Sequence, residues 1–409
     1  MENSTTKPFY NTTIPSDWAE VRIKDIGKIT SGTTPLRSNM AYHTNGIIPW
    51  VKTTDLNNSI IVYTEEKISE LALKETSLRI YPKDTILVAM YGGFNQIGRT
   101  GILGIGATIN QALSAISVDK NEIDPIFLLN WLNAKVGLWK NLAGSSRKDP
   151  NITSKDVGDF PFIKIPLPEQ RAIAHVLSLM DTAINQNNQL IAQKELRKKW
   201  LMQNLLTGKK RLKGFGGEWK EIHIKDVSKE VSIRNKTDKQ LTVLSCTKYD
   251  GLVESLEYWG RKIFADDIST YKIVPKNHFA YATNHIEEGS IGYQDSFDEA
   301  LISPMYTVFK TDSSINDLYF YKLLKSHMLI YQYQNRMEGS IDRRGGLRWD
   351  AFSIIKIHIP SYEEQTAITQ VLQAADKEIQ LLKAKTDKLR KQKKGMMQQL
   401  LTGKKRLIK

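Results

Sequence analysis

The sequence predicts an α+β chain: two α/β domains in tandem repeat, separated and joined by two long helices that form an antiparallel coiled coil. Three observations carry this reading. The string LLTGKKRL occurs at Leu205–Leu212 and again at Leu400–Leu407, an offset of 195, and EQRAIAHVL from Glu169 keeps that offset with EQTAITQVL from Glu364. A repeat of this length makes the chain two copies of one plan. Between the two shared motifs of each copy runs an apolar seam at a mean spacing of 3.5 residues, the signature of paired helices. The remaining blocks read as short strands broken by turns.

The first block, residues 1–160, carries β-type runs at Asp84–Gly92 and Thr108–Val118 and a helix candidate at Pro125–Lys135. Residues 161–213 form the first helical region. Its seam is Ile173, Leu177, Met180, Ile184, Ile191, Leu201 and Leu205, with Asn187, Lys194 and Lys198 as its polar members. Pro168 precedes the helix, and Gly208 sits where a C-cap glycine belongs. The second block, 214–356, repeats the plan with LTVLSC, MYTVFK and a helix candidate at Asp317–His327. Residues 357–409 are the second helical region, with the seam Ile368, Leu372, Ile379, Leu382, Leu389, Met396 and Leu400 and a capping Gly403. Strand and helix do not alternate regularly, which excludes a doubly wound parallel sheet. From Ile173 to Leu205 the seam advances 32 residues, roughly 48 Å of helix at ~1.5 Å per residue.

Charge follows the same plan. The 409 residues carry a formal net charge of +14. Residues 1–160 hold 17 basic and 16 acidic residues, and 214–356 hold 19 and 20. The excess lies at the two helix ends, net +7 over Lys194–Lys213 and net +10 over Lys383–Lys409. Such residues either offset the helix dipole and stay solvated or meet phosphate or an acidic partner. The single cysteine, Cys246, excludes an internal disulfide framework. No stretch approaches the ~18 apolar residues of a membrane helix. The polar N-terminus lacks the core of a signal peptide, so an intracellular, cytoplasmic protein is expected.

No catalytic constellation stands out. Gly208–Lys209 and Gly403–Lys404 end helices and do not open a phosphate loop, Gly101, Gly104 and Gly106 do not complete a dinucleotide fingerprint, and HExxH is absent. His285 with Glu287 and Glu288 has no second histidine in register and reads as a polar loop, so no metal is expected. Cys246 reads as a small core residue. What remains are loops mixing basic, amide and aromatic groups, the inventory of nucleic-acid readers. In the first block they offer Thr34, Arg37, Asn95, Arg99, Ser145, Arg147 and Lys148; in the second, Arg261, Lys262, Asn284, Ser340, Arg343, Arg344 and Arg348. Arginine and asparagine each make two parallel hydrogen bonds to one base edge.

Taken together, SGTTP, IPWVKTTDL and AMYGGFNQIGRTGIL in the first block, LSCTKYDGLV, STYKIVPKNHFAYAT and GSIGY in the second, and the duplicated EQ and LLTGKKRL motifs resemble the specificity subunit of type I restriction–modification systems over nearly the whole chain. Ser361-Tyr362-Glu363 stands where a proline-rich turn is usual, and a looser start of the second helix is expected there. The resemblance implies a subunit with no catalysis or cofactor of its own, whose two target-recognition domains each read half of a split double-stranded DNA sequence. It implies that the helices space these domains and dock two modification subunits, which use S-adenosylmethionine to methylate adenine. ATP- and Mg-dependent restriction subunits would join them. Two other readings remain: a coiled-coil scaffold that binds only proteins, and a fused methyltransferase or nuclease, which would need a cofactor loop or carboxylate cluster.

Overall fold

The structure, a computed structural model, describes residues 6–9, 12–143, 151–236, 239–338 and 346–407. It divides into two compact units that cut across the sequential repeat. One comprises residues 1–187 with 385–409, the other residues 188–384. Each unit therefore holds one mixed domain and half of each long helix.

In the first unit a five-stranded sheet runs in the order Gly27–Ser31, Leu113–Val118, Ile86–Ala89, Thr100–Leu103, Ile60–Ile61, antiparallel except for the last pair. A smaller sheet of Ile48–Val51, Glu66–Ile68 and Thr108–Ile109 lies beside it in the chain order. In the second unit four antiparallel strands, Ser228–Glu230, Tyr306–Thr311, His278–Ala282 and Ile291–Gln294, repeat the first four positions of that larger sheet. A further strand pair closes each domain, Ala19–Arg22 with Pro161–Lys164 and Lys220–His223 with Lys356–Ile359. The helix candidates form where the sequence places them. Pro125–Ala134 starts under an Asp124 cap, whose carboxylate accepts from Phe127 N–H, and Asp317–Leu324 under Asn316.

The first long helix covers Leu167–Leu205 and the second Tyr362–Leu400. Pro168 lies inside the first turn of its helix, where the missing N–H has no intrahelical partner to lose. The start of the second helix is not loosened by the missing proline. Ser361 caps it, with its Oγ accepting from Glu364 N–H and its carbonyl from Gln365 N–H at 3.0 Å. Every seam residue named from the sequence is buried or half-buried. Within the first unit the pairing is antiparallel: Ile173 and Leu177 share a core with Met396, Leu400 and Leu401, and Asp181 holds Lys393 at 2.6 Å. Within the second, Leu201 and Leu205 share a core with Ile368 and Leu372, and Lys194 meets Glu378 at 2.5 Å. The lysine members of the seam are accommodated in the same way, for Lys198 pairs with Asp376 as Lys393 does with Asp181.

The glutamine of each EQ motif ties helix to domain. Gln170 accepts from Asp124 N–H at 2.9 Å and donates to Ile165 O at 2.8 Å; Gln365 accepts from Asn316 N–H at 2.8 Å and donates to Pro360 O at 3.0 Å. Both caps and both glutamines are thereby satisfied without water, as buried polar groups require.

Candidate nucleic-acid interface

The same loop junction is built in both units. In the first, the strand Ile86–Ala89 runs into the loop Tyr91–Arg99, and Ile152 N–H donates to Met90 O at 3.0 Å. In the second, His278–Ala282 runs into Thr283–Ser290, and Leu347 N–H donates to Thr283 O at 2.9 Å. Ile152 and Leu347 differ by 195. Each contact brings the far limb of a Gly-Ser loop against the loop that leaves the sheet. Ser145, Arg147, Lys148, Ser340, Arg343 and Arg344 belong to those Gly-Ser loops and lie outside the described residues.

Glycine makes both junctions possible. Gly92 and Gly93 take φ of +110° and +82°, which an L side chain rarely adopts. At Gly346 the reason is room: a Cβ would lie 2.3 Å from Thr283 O.

The loop of the first unit exposes Tyr91, Phe94 and Asn95, with Lys140 Nζ 4.9 Å from the Phe94 ring. Arg99 turns inward. Its guanidinium donates to Gln96 Oε1 at 2.8 Å and Leu56 O at 2.6 Å, so its fork is occupied in holding the loop. Thr34 Oγ1 accepts from Gln111 N–H at 3.4 Å. Arg37 is paired with Glu66 at 2.8 Å and lies 5.1 Å from the Trp50 ring. Burial raises the Glu66 carboxyl, but Lys52 and Arg37 outweigh it and hold it below its ordinary range.

In the second unit Asn284 is exposed, its Oδ1 accepting from Thr283 Oγ1 at 2.9 Å, and Arg348 projects from the start of the short helix Trp349–Ser353. A cleft of about 290 Å³ opens beside Asn284, with Phe264, Tyr271 and Met305 among its walls. Arg261 and Lys262 follow Gly260, whose φ of +62° ends the helix Ser255–Trp259. Arg261 is exposed, whereas Lys262 pairs with Asp266 and lies 5.1 Å from the Phe264 ring. Next to them Tyr258 and Trp259, both exposed, meet edge to face at 5.1 Å. Tyr258 and Trp259 belong to YWGRK, one of the loops in which the sequence mixes basic and aromatic groups. Neither ring was among the candidate DNA-binding residues, and their exposure, a tertiary property, now adds them.

His285, Glu287 and Glu288 bring three ligand atoms within 4.8 Å of one another on an exposed turn. Burial pushes the Cys246 thiol up to about 12, so it stays neutral and is a poor nucleophile.

The tail motif has a role that composition did not reveal. Arg406 from the second LLTGKKRL forks onto Glu169 at 2.5 and 2.7 Å and reaches Asp17 at 3.1 Å. Arg211 from the first forks onto Glu364 at 2.6 and 2.5 Å and donates to Gly217 O. Both carboxylates are buried. Each tail thus locks the opening helix turn of the other copy. The signal was present, since both Arg and Glu recur at offset 195, but the repeat alone does not say which arginine meets which glutamate.

The sequence matches the type I restriction modification DNA specificity domain family twice, over residues 15–195 and 216–391. The chain belongs to that family. It is 25% identical over 426 residues to the MjaVIII type I restriction enzyme specificity subunit of Methanocaldococcus jannaschii, covering 97% of this chain and 95% of that protein. With the MjaIX specificity subunit of the same organism it is 33% identical over 202 residues, 46% of this chain and 45% of that relative. The S subunit of the M. genitalium type I system shares the fold, with a TM-score of 0.58 at 16% identity over 96% of this chain and 97% of the other. The HsdS subunit of Thermoanaerobacter tengcongensis gives 0.50 at 15% identity, over 95% and 98%. The protein is the DNA-recognition subunit of a type I restriction–modification system, with two tandem target-recognition domains. No helix among the described residues is long and apolar enough to cross a membrane.

Proposed function

We propose that each unit reads one half of a bipartite double-stranded DNA target in the cytoplasm, while the chain itself performs no chemistry. On this reading the paired helices set the interval between the halves and dock two modification subunits, which methylate adenine from S-adenosylmethionine. Restriction subunits using ATP and Mg complete the assembly. One observation carries the reading: the same loop junction, at Met90 and Ile152 and at Thr283 and Leu347, is rebuilt in both units with unlike side chains around it. One architecture with two unlike surfaces suits two unlike half-sites, because the scaffold positions and the side chains specify. Adenine methylation mapped across the host genome, with and without the gene, tests it. The expected result is a gapped motif that disappears with the gene. Exchanging residues 1–160 for those of a relative should change one half only. A continuous motif, or an exchange that alters both halves, contradicts the reading.

A further inference from the structure

The cleft beside Asn284 in the second unit is more than contacts to stacked base edges require. Its apolar walls come from Phe264, Tyr271 and Met305, and Asn284, Ser245 and Ser255 supply polar groups. Among the described residues its lining contains no lysine, arginine, aspartate or glutamate, so it balances neither a phosphate nor an ammonium group. At about 290 Å³ it sits at the lower bound of small-molecule clefts, which run ~300–1,000 Å³. That is room for one flat ring system and too little for a peptide. Neutral, aromatic-walled and polar at one edge, the cleft has the chemistry of a nucleobase site.

Its walls are held by the fold. Tyr271 packs with Val243, Ile268 and Leu301, and its hydroxyl accepts from Ala265 N–H at 3.2 Å, which fixes the chain next to Phe264. Lys272 Nζ donates to Tyr306 O at 2.6 Å, and Ser245 Oγ donates to Ser255 Oγ at 3.0 Å. The Thr283 hydroxyl lies 3.0 Å from Met305 O and 2.9 Å from Asn284 Oδ1. The Asn284 amide nitrogen has no partner among the described residues, and Met305 is left 60% exposed.

Position says where a ring system would come from. Asn284 belongs to the loop that leaves the sheet at the reading junction, where Leu347 N–H donates to Thr283 O. Ser255 and Ile263 also line the cleft, and between them in the chain stand exposed Tyr258, Trp259 and Arg261. The segment 255–264 thus gives its two ends to the cleft and its middle, two aromatic rings and an arginine, to the surface.

We propose that this cleft receives one extrahelical base of the bound duplex, a base other than the adenine that is methylated. Phe264 and Met305 take the faces of the base and Asn284 its edge, while the Tyr258–Trp259 pair covers the stack it leaves. A base taken out of the stack is read on edges that pairing otherwise hides, which repays the cost of unpairing it. The proposal rests on the reading that the second unit recognises half of a duplex target, and it names how one position of that half is read.

The test uses the full chain assembled with the modification subunits of its own system, titrated with the cognate duplex and with mismatched and abasic versions of it. A mismatch at one position of the half-site read by residues 214–356 should strengthen binding by about tenfold, because unpairing no longer costs. Mismatches elsewhere in the target should weaken it. Phe264→Leu and Met305→Ala should each weaken binding of the cognate duplex by about tenfold, and Phe264→Tyr should restore it. On a duplex abasic at the extruded position the wild type and both weakened variants should bind alike, since no base is left to hold. Thermal melting of Met305→Ala should match the wild type, which separates a lost contact from lost folding. If no mismatch strengthens binding, or if the variants weaken cognate and abasic duplexes equally, the proposal is overturned while reading by the second unit stands. A cleft that bound free nucleosides and was indifferent to the abasic position would serve another ligand, which also overturns it. If the wild type shows no preference for its gapped motif over unrelated duplex, the reading itself fails and the proposal with it.

Discussion

At the scale of single residues, the structure sorts side chains that look alike in sequence. Arg99 and Arg348 both sit in glycine-containing loops and both suit a guanine edge. Arg99 has given its guanidinium to Gln96 and Leu56 O, whereas Arg348 is exposed at a helix start. Arg348→Ala should therefore cost ~1–3 kcal/mol on the cognate duplex and relax one target position, as expected for a lost base contact. Arg99→Ala should lower the melting temperature of the chain and weaken binding without relaxing a position. Titrations against duplexes substituted base by base, beside thermal melts, distinguish the two. Relaxed specificity from Arg99→Ala would reverse the assignment. Cys246 shows the complementary lesson: a lone thiol invites a reactive reading, but its burial keeps it protonated.

At the scale of elements, the dominant feature is that each LLTGKKRL tail closes on the copy that did not produce it. The arginine–glutamate forks are bidentate and their carboxylates buried, the geometry in which removing one partner leaves an uncompensated group. The two partners are not equivalent. Glu169→Ala leaves Arg406 with Asp17 and with access to water, since 30% of its side chain is exposed. Arg406→Ala leaves Glu169, 3% exposed, with its charge uncompensated. Glu169→Ala should cost about 2–3 kcal/mol, discounted from the fully buried case, and Arg406→Ala more. The double variant should cost less than the sum of the two. Denaturant melts of the four proteins measure this, and additive losses would show that the fork contributes no coupling. The glycines that turn each tail are fixed by the same packing. Gly208 and Gly403 take φ of +69° and +70°, and a Cβ on Gly403 would lie 2.4 Å from Pro15 Cδ.

At the scale of the whole molecule, both long helices run unbroken for 39 residues, each contributing to both compact units. A four-residue insertion in the middle of the first helix, compensated by one in the second, adds about 6 Å at ~1.5 Å per residue. The unread gap of the DNA target, expected between halves centred ~10–13 base pairs apart, should widen by about one or two base pairs at ~3.4 Å each. Both halves should stay unchanged. Methylome mapping of the insertion variant checks this, and an unchanged gap would deny the helices their role as a ruler. The sequence by itself determined the duplication, the heptad-like seam and the strand–turn character of the two domains. These are periodic or local signals, and periodicity fixes which face of a helix or strand must be buried before any partner is known. The helix candidates at Pro125 and Asp317 and the seam from Ile173 to Leu400 were legible for that reason. Only the tertiary structure decided that Arg406 meets Glu169 and Arg211 meets Glu364, and that Arg99 is occupied while Arg348 is exposed. Those outcomes join positions far apart in the chain, and a repeat offers each group two equivalent partners. The direction in which the antiparallel helices close selects between them.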